Sequence, residues 1–320
     1  MNVLQWLLKK QFNYFHKPQK NHGFTLIELL VAMLLAVLVI TPLMGVMISM
    51  LETDRREQAK ANSEQEIQAA TDYIARDLQQ AIYIYDATGV DAIKSQLPTV
   101  TNGIPVLVFW KREISKDAVV TKLKDKTFYD DSFVNSLVAY YLIQDKAKPW
   151  SKAARIARFQ IKDGVLNKNG SKCTKAYDTT SIFTQCPDDG FQVLNLSQKD
   201  KTLAEKMNSW TKTSQAYTQK PIVLIDFVDQ SATTNNKEVP SASCPSNMVV
   251  VPTGITMTGF YACVTSLTEE NRSIAEIYLR GNALARLTDD ESKIIYSKAQ
   301  NVYFPTTKIR VEGRSFIFSK

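Results

Sequence analysis

"HGFTLIELLVAMLLAVLVITPLMG" (residues 22–45) sets one glutamate inside an otherwise apolar run. From Phe24 to Leu51, 28 residues, Glu28 carries the only charge. About 20 apolar residues suffice to cross a bilayer as a helix. A removable secretory signal has a shorter apolar core, about 7–15 residues, followed by a small-residue cleavage site. Here the run is longer and is followed by "ETDRREQAK", so it reads as a retained membrane helix. Lys9, Lys10, Lys17 and Lys20 crowd its N-terminal flank, whereas Glu52, Asp54 and Glu57 mix with Arg55 and Arg56 beyond it. The positive-inside rule then leaves residues 1–23 in the cytoplasm and sends the bulk of the chain across.

An ordinary signal-anchor leaves Glu28 unexplained. It lies four helical steps, roughly 6 Å, from Phe24, on the cytoplasmic side, where a charge costs less than at the bilayer centre. The intact chain offers it no adjacent cation. A cut between Gly23 and Phe24 would create an ammonium group able to neutralise Glu28 of a neighbouring subunit. Opposite charges 4 Å apart attract by about 4 kcal/mol at an effective dielectric near 20. Such a carboxylate favours assembly over a lone helix.

Lys20-Asn-His-Gly23-Phe24-Thr-Leu-Ile-Glu28, followed by about twenty apolar positions, resembles the class III signal of type IV pilins and type II secretion pseudopilins. The resemblance implies cleavage after Gly23 by a prepilin peptidase and N-methylation of Phe24. It gives Glu28 the part of the subunit-docking glutamate. It implies a single-pass protein of the inner membrane, N-terminus cytoplasmic and C-terminal domain periplasmic, assembled into an envelope or surface fibre. The expected partners are the peptidase, other pilins or pseudopilins through the N-terminal helix, the inner-membrane assembly platform, and membrane lipid.

Beyond the membrane, Ile67, Ala70, Ile74, Leu78, Ala81, Ile82 and Tyr85 recur at helical spacing, opposite Glu64, Gln68, Asp72, Arg76 and Gln79. This predicts one helix from Phe24 to about Tyr85, roughly 90 Å long, kinked or locally melted at Pro42. From residue 86 short β-rich runs follow: 105–110, 136–144, 154–164, 221–228, 274–282 and 314–319. Residues 154–161 alternate arginine with apolar side chains, as on an antiparallel strand with one wet face. Residues 198–217 are a candidate helix, and 111–131, 167–190 and 229–247 read as irregular. The expected organisation is a leader (1–23), a transmembrane half-helix (24–51), an amphipathic half-helix (52–85) and an exported domain (86–320). The fold class is α+β and pilin-like, a long N-terminal helix packed on a mainly antiparallel sheet with disulfide-pinned loops.

Cys173, Cys186, Cys244 and Cys263 all lie in the exported part. An even count in an oxidising compartment suggests disulfides, and the sequence-near pairing is 173–186 with 244–263. A zinc site or free thiols are the alternatives; the spacings lack the close pairs of structural zinc sites.

Both histidines, His16 and His22, precede Phe24, so the exported domain cannot hold a Ser-His-Asp or Cys-His centre. "CPDDG" (186–190) and "LTDDES" (287–292) supply paired acids without EF-hand spacing. No enzyme, cofactor or metal is expected. The formal charge of +7 is concentrated in the leader, leaving 35 basic and 32 acidic residues after it. "WKREISKDAVVTKLKDK" (110–126) is basic but interrupted by acids, so nucleic acid is not an expected partner.

The 297 residues after Gly23 make a bulky subunit, which favours a minor one. "LVAYYLIQDKAKPWSKAARIARFQI" (137–161) resembles the tyrosine-rich and arginine-bearing strands of large minor pilins and J-type pseudopilins. With "EIYLRGNALARL" (276–287), in which Gly281 and Asn282 read as a turn ending a strand, it is most similar to the minor pseudopilins of cyanobacterial hormogonium polysaccharide secretion. That implies a structural subunit of a fibre supporting polysaccharide export and surface motility, with polysaccharide as a further contact. The alternative is a pilus-borne binding subunit, an adhesin or DNA-uptake minor pilin.

Overall fold

The computed structural model describes residues 23–124, 126–145, 147–265 and 274–313. The leader up to residue 22 and the strand expected at 314–319 lie outside the described residues. The chain divides into two units, one ending at Asp54 and one beginning at Arg55.

In the first unit the described residues are almost wholly helical. Helix α1 runs from Leu26 to Leu78 without interruption, Pro42 included, so the proline does not melt it. The Thr41 hydroxyl donates to the Val37 carbonyl (2.8 Å) in the turn that Pro42 follows. At the start, the Thr25 hydroxyl accepts from the Glu28 N–H (3.3 Å) and its carbonyl from the Leu29 N–H (3.1 Å), which caps the helix.

In the second unit α1 buries Ala59, Ser63, Ile67, Ala70, Ile74 and Leu78, the three- and four-residue spacing of one face. The helix stops at Leu78 rather than continuing to Tyr85. Ala81–Ile84 form strand β1, antiparallel to β2 (Gly103–Leu123), with Ile84 opposite Phe109. Ala81, Ile82 and Tyr85 fit a helical period by sequence, but "AIYIY" is also a β-branched and aromatic run. Pairing with β2 decides between the two.

β2 and β3 (Lys126–Ile143) form one long hairpin. The stretch 111–131, expected as irregular, is therefore mostly strand. A bulge between Ser115 and Val119 breaks the alternation that sequence reading relies on. Next come β4 (Ala154–Lys162), β5 (Val165–Lys172), β6 (Ile182–Gln185) and β7 (Ile222–Val228). Then follow β8 (Met248–Val251), β9 (Phe260–Thr265), β10 (Ile274–Arg280) and β11 (Thr306–Glu312). They make a five-stranded sheet (β1-β2-β3-β4-β7), a four-stranded sheet (β11-β10-β9-β8) and the β5–β6 pair. Every pairing is antiparallel, giving the α+β, pilin-like architecture. Within 198–217 only α3 (Leu203–Asn208) is helical, held by a capping box of Thr202 and Glu205. A short α2 (Ala87–Ile93) is capped by Asp86.

The five-stranded sheet is covered on both faces. Trp110 and Lys111, being adjacent, point to opposite sides. Trp110 meets Phe191 and Trp210 edge-on, and its Nε1–H donates to the Tyr85 hydroxyl, which donates to the Met207 carbonyl. Lys111 lies on the α1 side. β4 is drier than its pattern implies: Arg158, Gln160 and Lys162 are half-buried rather than exposed, and both its arginines are taken into ion pairs, Arg155 with Asp145 and Arg158 with Asp77. Covering by helix and loops, not the strand's own pattern, determines this.

Asp77 sits in the last turn of α1, where the helix dipole disfavours a carboxylate. Three partners compensate. The Tyr140 hydroxyl (2.7 Å) and Arg158 Nε (2.7 Å) donate to it, and Lys111 Nζ is 3.0 Å away. Lys111 also pairs with Glu113 (2.8 Å), which accepts from Gln160. Two cations and two carboxylates thus balance at the junction of helix and sheet. Burial alone would raise the Asp77 pKa, but the Arg158 hydrogen bonds and charge, with Lys111 and Tyr140, outweigh it and hold it below the usual range. The folded-state value therefore lies below the unfolded one. The carboxylate contributes its full stability above about pH 3.9 and loses it as pH falls through the folded value. Thermal scans should show the unfolding temperature falling on acidification below about pH 4, and falling less in Asp77→Asn over the same interval.

Candidate functional site

The segment around Gly23 and Phe24 is open. Phe24 is 77% exposed and Glu28 is exposed as well. A Cβ added to Gly23 would meet nothing within 4 Å, so the fold itself does not demand glycine there. Thr25 and Glu28 have the spacing of a capping box, a signal the sequence carries in plain view and that a reading centred on charge overlooks. The half of that box seen here is the Thr25 hydroxyl bonding to the Glu28 N–H. The ion pairs among the described residues do not include Glu28. Beyond it α1 is apolar enough and long enough to cross a membrane, with none of its most apolar window buried in the chain's own fold.

The other sequence-marked residues have structural employment. Asp188 accepts from the Lys162 N–H and Asp189 pairs with Lys175, while Asp290 caps the 3-10 turn at Glu291–Lys293. Among the described residues no group of histidine, cysteine, aspartate and glutamate is arranged to hold a metal. "YLRGNALARL" does more than end a strand. A Cβ on Gly281 would lie 2.6 Å from Ser63 Oγ and 3.0 Å from Ile67 Cγ2, so a side chain here would force those residues of α1 to shift. Gly281 also bridges to Val228, joining the two sheets. Asn282, fully buried, donates to Gln230 (3.0 Å) and to the Ile294 carbonyl (2.7 Å), and Arg286 pairs with Glu66 on α1.

The cysteines form two bonds, Cys173–Cys186 and Cys244–Cys263. The first closes the β5–β6 pair; the second ties the segment before β8 onto β9. Each is worth about 3 kcal/mol by the chain-entropy estimate. Non-reducing peptide mapping should recover these two crosslinked pairs, and four alkylatable thiols in the native protein would contradict both.

Residues 18–44 match the family described as the prokaryotic N-terminal methylation motif. The motif supports a type IV pilin-like protein. It ends inside the membrane-type helix, and Gly23, Phe24 and Glu28 all fall within it. The motif implies processing by a prepilin peptidase and assembly with other pilins, and with the apolar helix it suggests a single-pass membrane anchor. No curated protein and no solved structure matches the pilin-like chain.

Proposed function

We propose that the chain is a minor pseudopilin, a non-catalytic structural subunit of a type IV pilus-like or type II secretion-like fibre that supports polysaccharide secretion and surface motility. The observation that carries the assembly role is Glu28: a carboxylate in the first turn of α1, before its exposed apolar stretch, left without an ion-pair partner among the described residues. Cleavage between Gly23 and Phe24 exposes the ammonium that would dock against Glu28 of the next subunit. The chemistry of the cut explains a glycine that the fold does not need, since a peptidase that grips the chain closely at the scissile bond excludes a side chain. By the positive-inside rule the lysine-rich leader supports a cytoplasmic N-terminus and a periplasmic β-rich domain. Arg158 of β4, paired with Asp77, and Gly281, packed against Ser63 and Ile67, both in the stretches that resemble large minor subunits, hold the β-rich domain to α1. A deletion scored for surface fibres and for exported polysaccharide tests this reading. Loss of both is expected, and normal export by the deletion strain would refute the secretion role.

A further inference from the structure

Lys111 and Arg112 mark the level at which α1 ends. Lys111 pairs with Asp77 in the last helical turn, and the Arg112 N–H donates to the Gln80 carbonyl (3.2 Å). Beyond that level β2 and β3 run on together to Leu123 and Lys126, as an arm outside the body of the five-stranded sheet. One face of the arm is braced by β5 and β6. Ala118, Val134 and Val165 form a buried cluster there. The Ser115 hydroxyl bonds to Gln185, the Thr184 hydroxyl donates to the Ala118 carbonyl, and Asn169 Nδ2 donates to the Val120 carbonyl (2.6 Å). The opposite face is bare. Ile114 and Phe133, register partners, are 57% and 58% exposed. Tyr129, four residues along β3 and so on the same face, is 59% exposed. An apolar stripe supported from behind and open in front marks an interaction surface.

Charge narrows the occupant. Arg112, its guanidinium over the Phe133 ring (4.5 Å), stands at the inner end of the stripe, and Lys122, opposite Thr127, at the outer end of the same face. No ion pair among the described residues includes either cation. The acid between them, Asp131, accepts the Asp117 N–H at the bulge (2.9 Å), and Asp130 lies on the braced side. Two such stripes laid face to face would bring cation against cation in either orientation, which disfavours a second copy of the arm. A bilayer does not account for the inner end. Amphipathic segments sink about 5–10 Å into the interface. Phe133 lies seven residues, roughly 23 Å, back from Lys126 at the hairpin end. We propose that the stripe docks a different subunit of the fibre, through an apolar patch on that subunit flanked by carboxylates. Ile114, Phe133 and Tyr129 supply the apolar contact, and Arg112 and Lys122 at its rim select the acidic partner and set its register. The inference rests on the reading of the chain as a fibre subunit.

The test is site-specific photocrosslinking of the full chain in its own cells, with products identified by mass spectrometry. The crosslinker p-benzoyl-phenylalanine replaces Phe133 and, in a separate chain, Leu34 of the membrane-type helix as the control for assembly. The Phe133 probe should give one main adduct, to a different chain that carries its own class III signal, at a surface holding aspartate or glutamate. Arg112→Glu combined with Lys122→Glu should cut that adduct by about tenfold. The same pair should leave the Leu34 adducts and the unfolding temperature unchanged. Ile114→Ser, an uncharged change at an exposed position, should lower the Phe133 adduct as well. Leu34 adducts without a Phe133 adduct would overturn the docking proposal and leave the fibre reading standing, whereas absence of both would count against the two together. An adduct from Phe133 to lipid, to glycan, to a second copy or within its own chain would also overturn it, as would an undiminished adduct in the double-glutamate variant.

Discussion

Glu28→Leu is expected to insert, fold and be processed normally, yet to be missing from the fibre. The substitution makes the membrane helix more apolar, so the lone subunit in the bilayer should be no less stable. The Thr25 cap survives, because its bond is to the backbone N–H of residue 28 and not to the carboxylate. What is lost is the charge that would meet the Phe24 ammonium of a neighbour, about 4 kcal/mol at 4 Å and an effective dielectric near 20. The fraction recovered in sheared or crosslinked fibres should therefore fall by about tenfold or more, with the subunit left in the membrane. Glu28→Gln should fall less, since the amide still accepts a hydrogen bond. Normal recovery of the leucine variant would mean that Glu28 is not a docking charge.

The second large effect lies at Asp77. Asp77→Leu leaves Arg158 and Lys111 facing one carboxylate, Glu113, where there were two. Asp77 and Lys111 are only 7% and 8% exposed at the side chain, so water cannot make good the difference. Breaking a buried pair by removing one partner costs about 3–5 kcal/mol. Thermal unfolding of the full chain should show that loss. Adding Arg158→Met to Asp77→Leu should recover part of it, because the surviving Lys111–Glu113 pair is balanced. A double variant less stable than the single one would mean that charge balance is not what the cluster provides.

These two sites differ in how far the sequence alone reveals them. The N-terminal signal is legible because everything in it is local: Gly23, Phe24 and Glu28 stand within six residues, and the apolar run after them needs no partner to be recognised. The apolar stripe Ile67, Ala70, Ile74 and Leu78 is legible for the same reason. Asp77 is different. On paper it is a polar residue near a helix end, and its partners stand 34 and 81 residues away, at Lys111 and Arg158. The arginines of β4 read as solvent-facing because alternation records the strand's own two faces and not what comes to cover them. β1 was hidden in a helical period that "AIYIY" satisfies by accident, and the outer hairpin of β2 and β3 was hidden by a bulge and its polar residues. Strand β11, "TTKIRVE", shows mostly exposed side chains at a sheet edge and offers no apolar run to find. Gly281 looked like a turn, whereas what crowds it is α1, more than two hundred residues earlier.

The mass of the protein extracted from membranes bears on all of this. We predict a chain that begins at Phe24 with one added methyl group on its amino nitrogen, and a Gly23→Leu variant that keeps residues 1–23. A wild-type chain that still begins at Met1, or one cut after Leu51, would contradict the pilin-like reading.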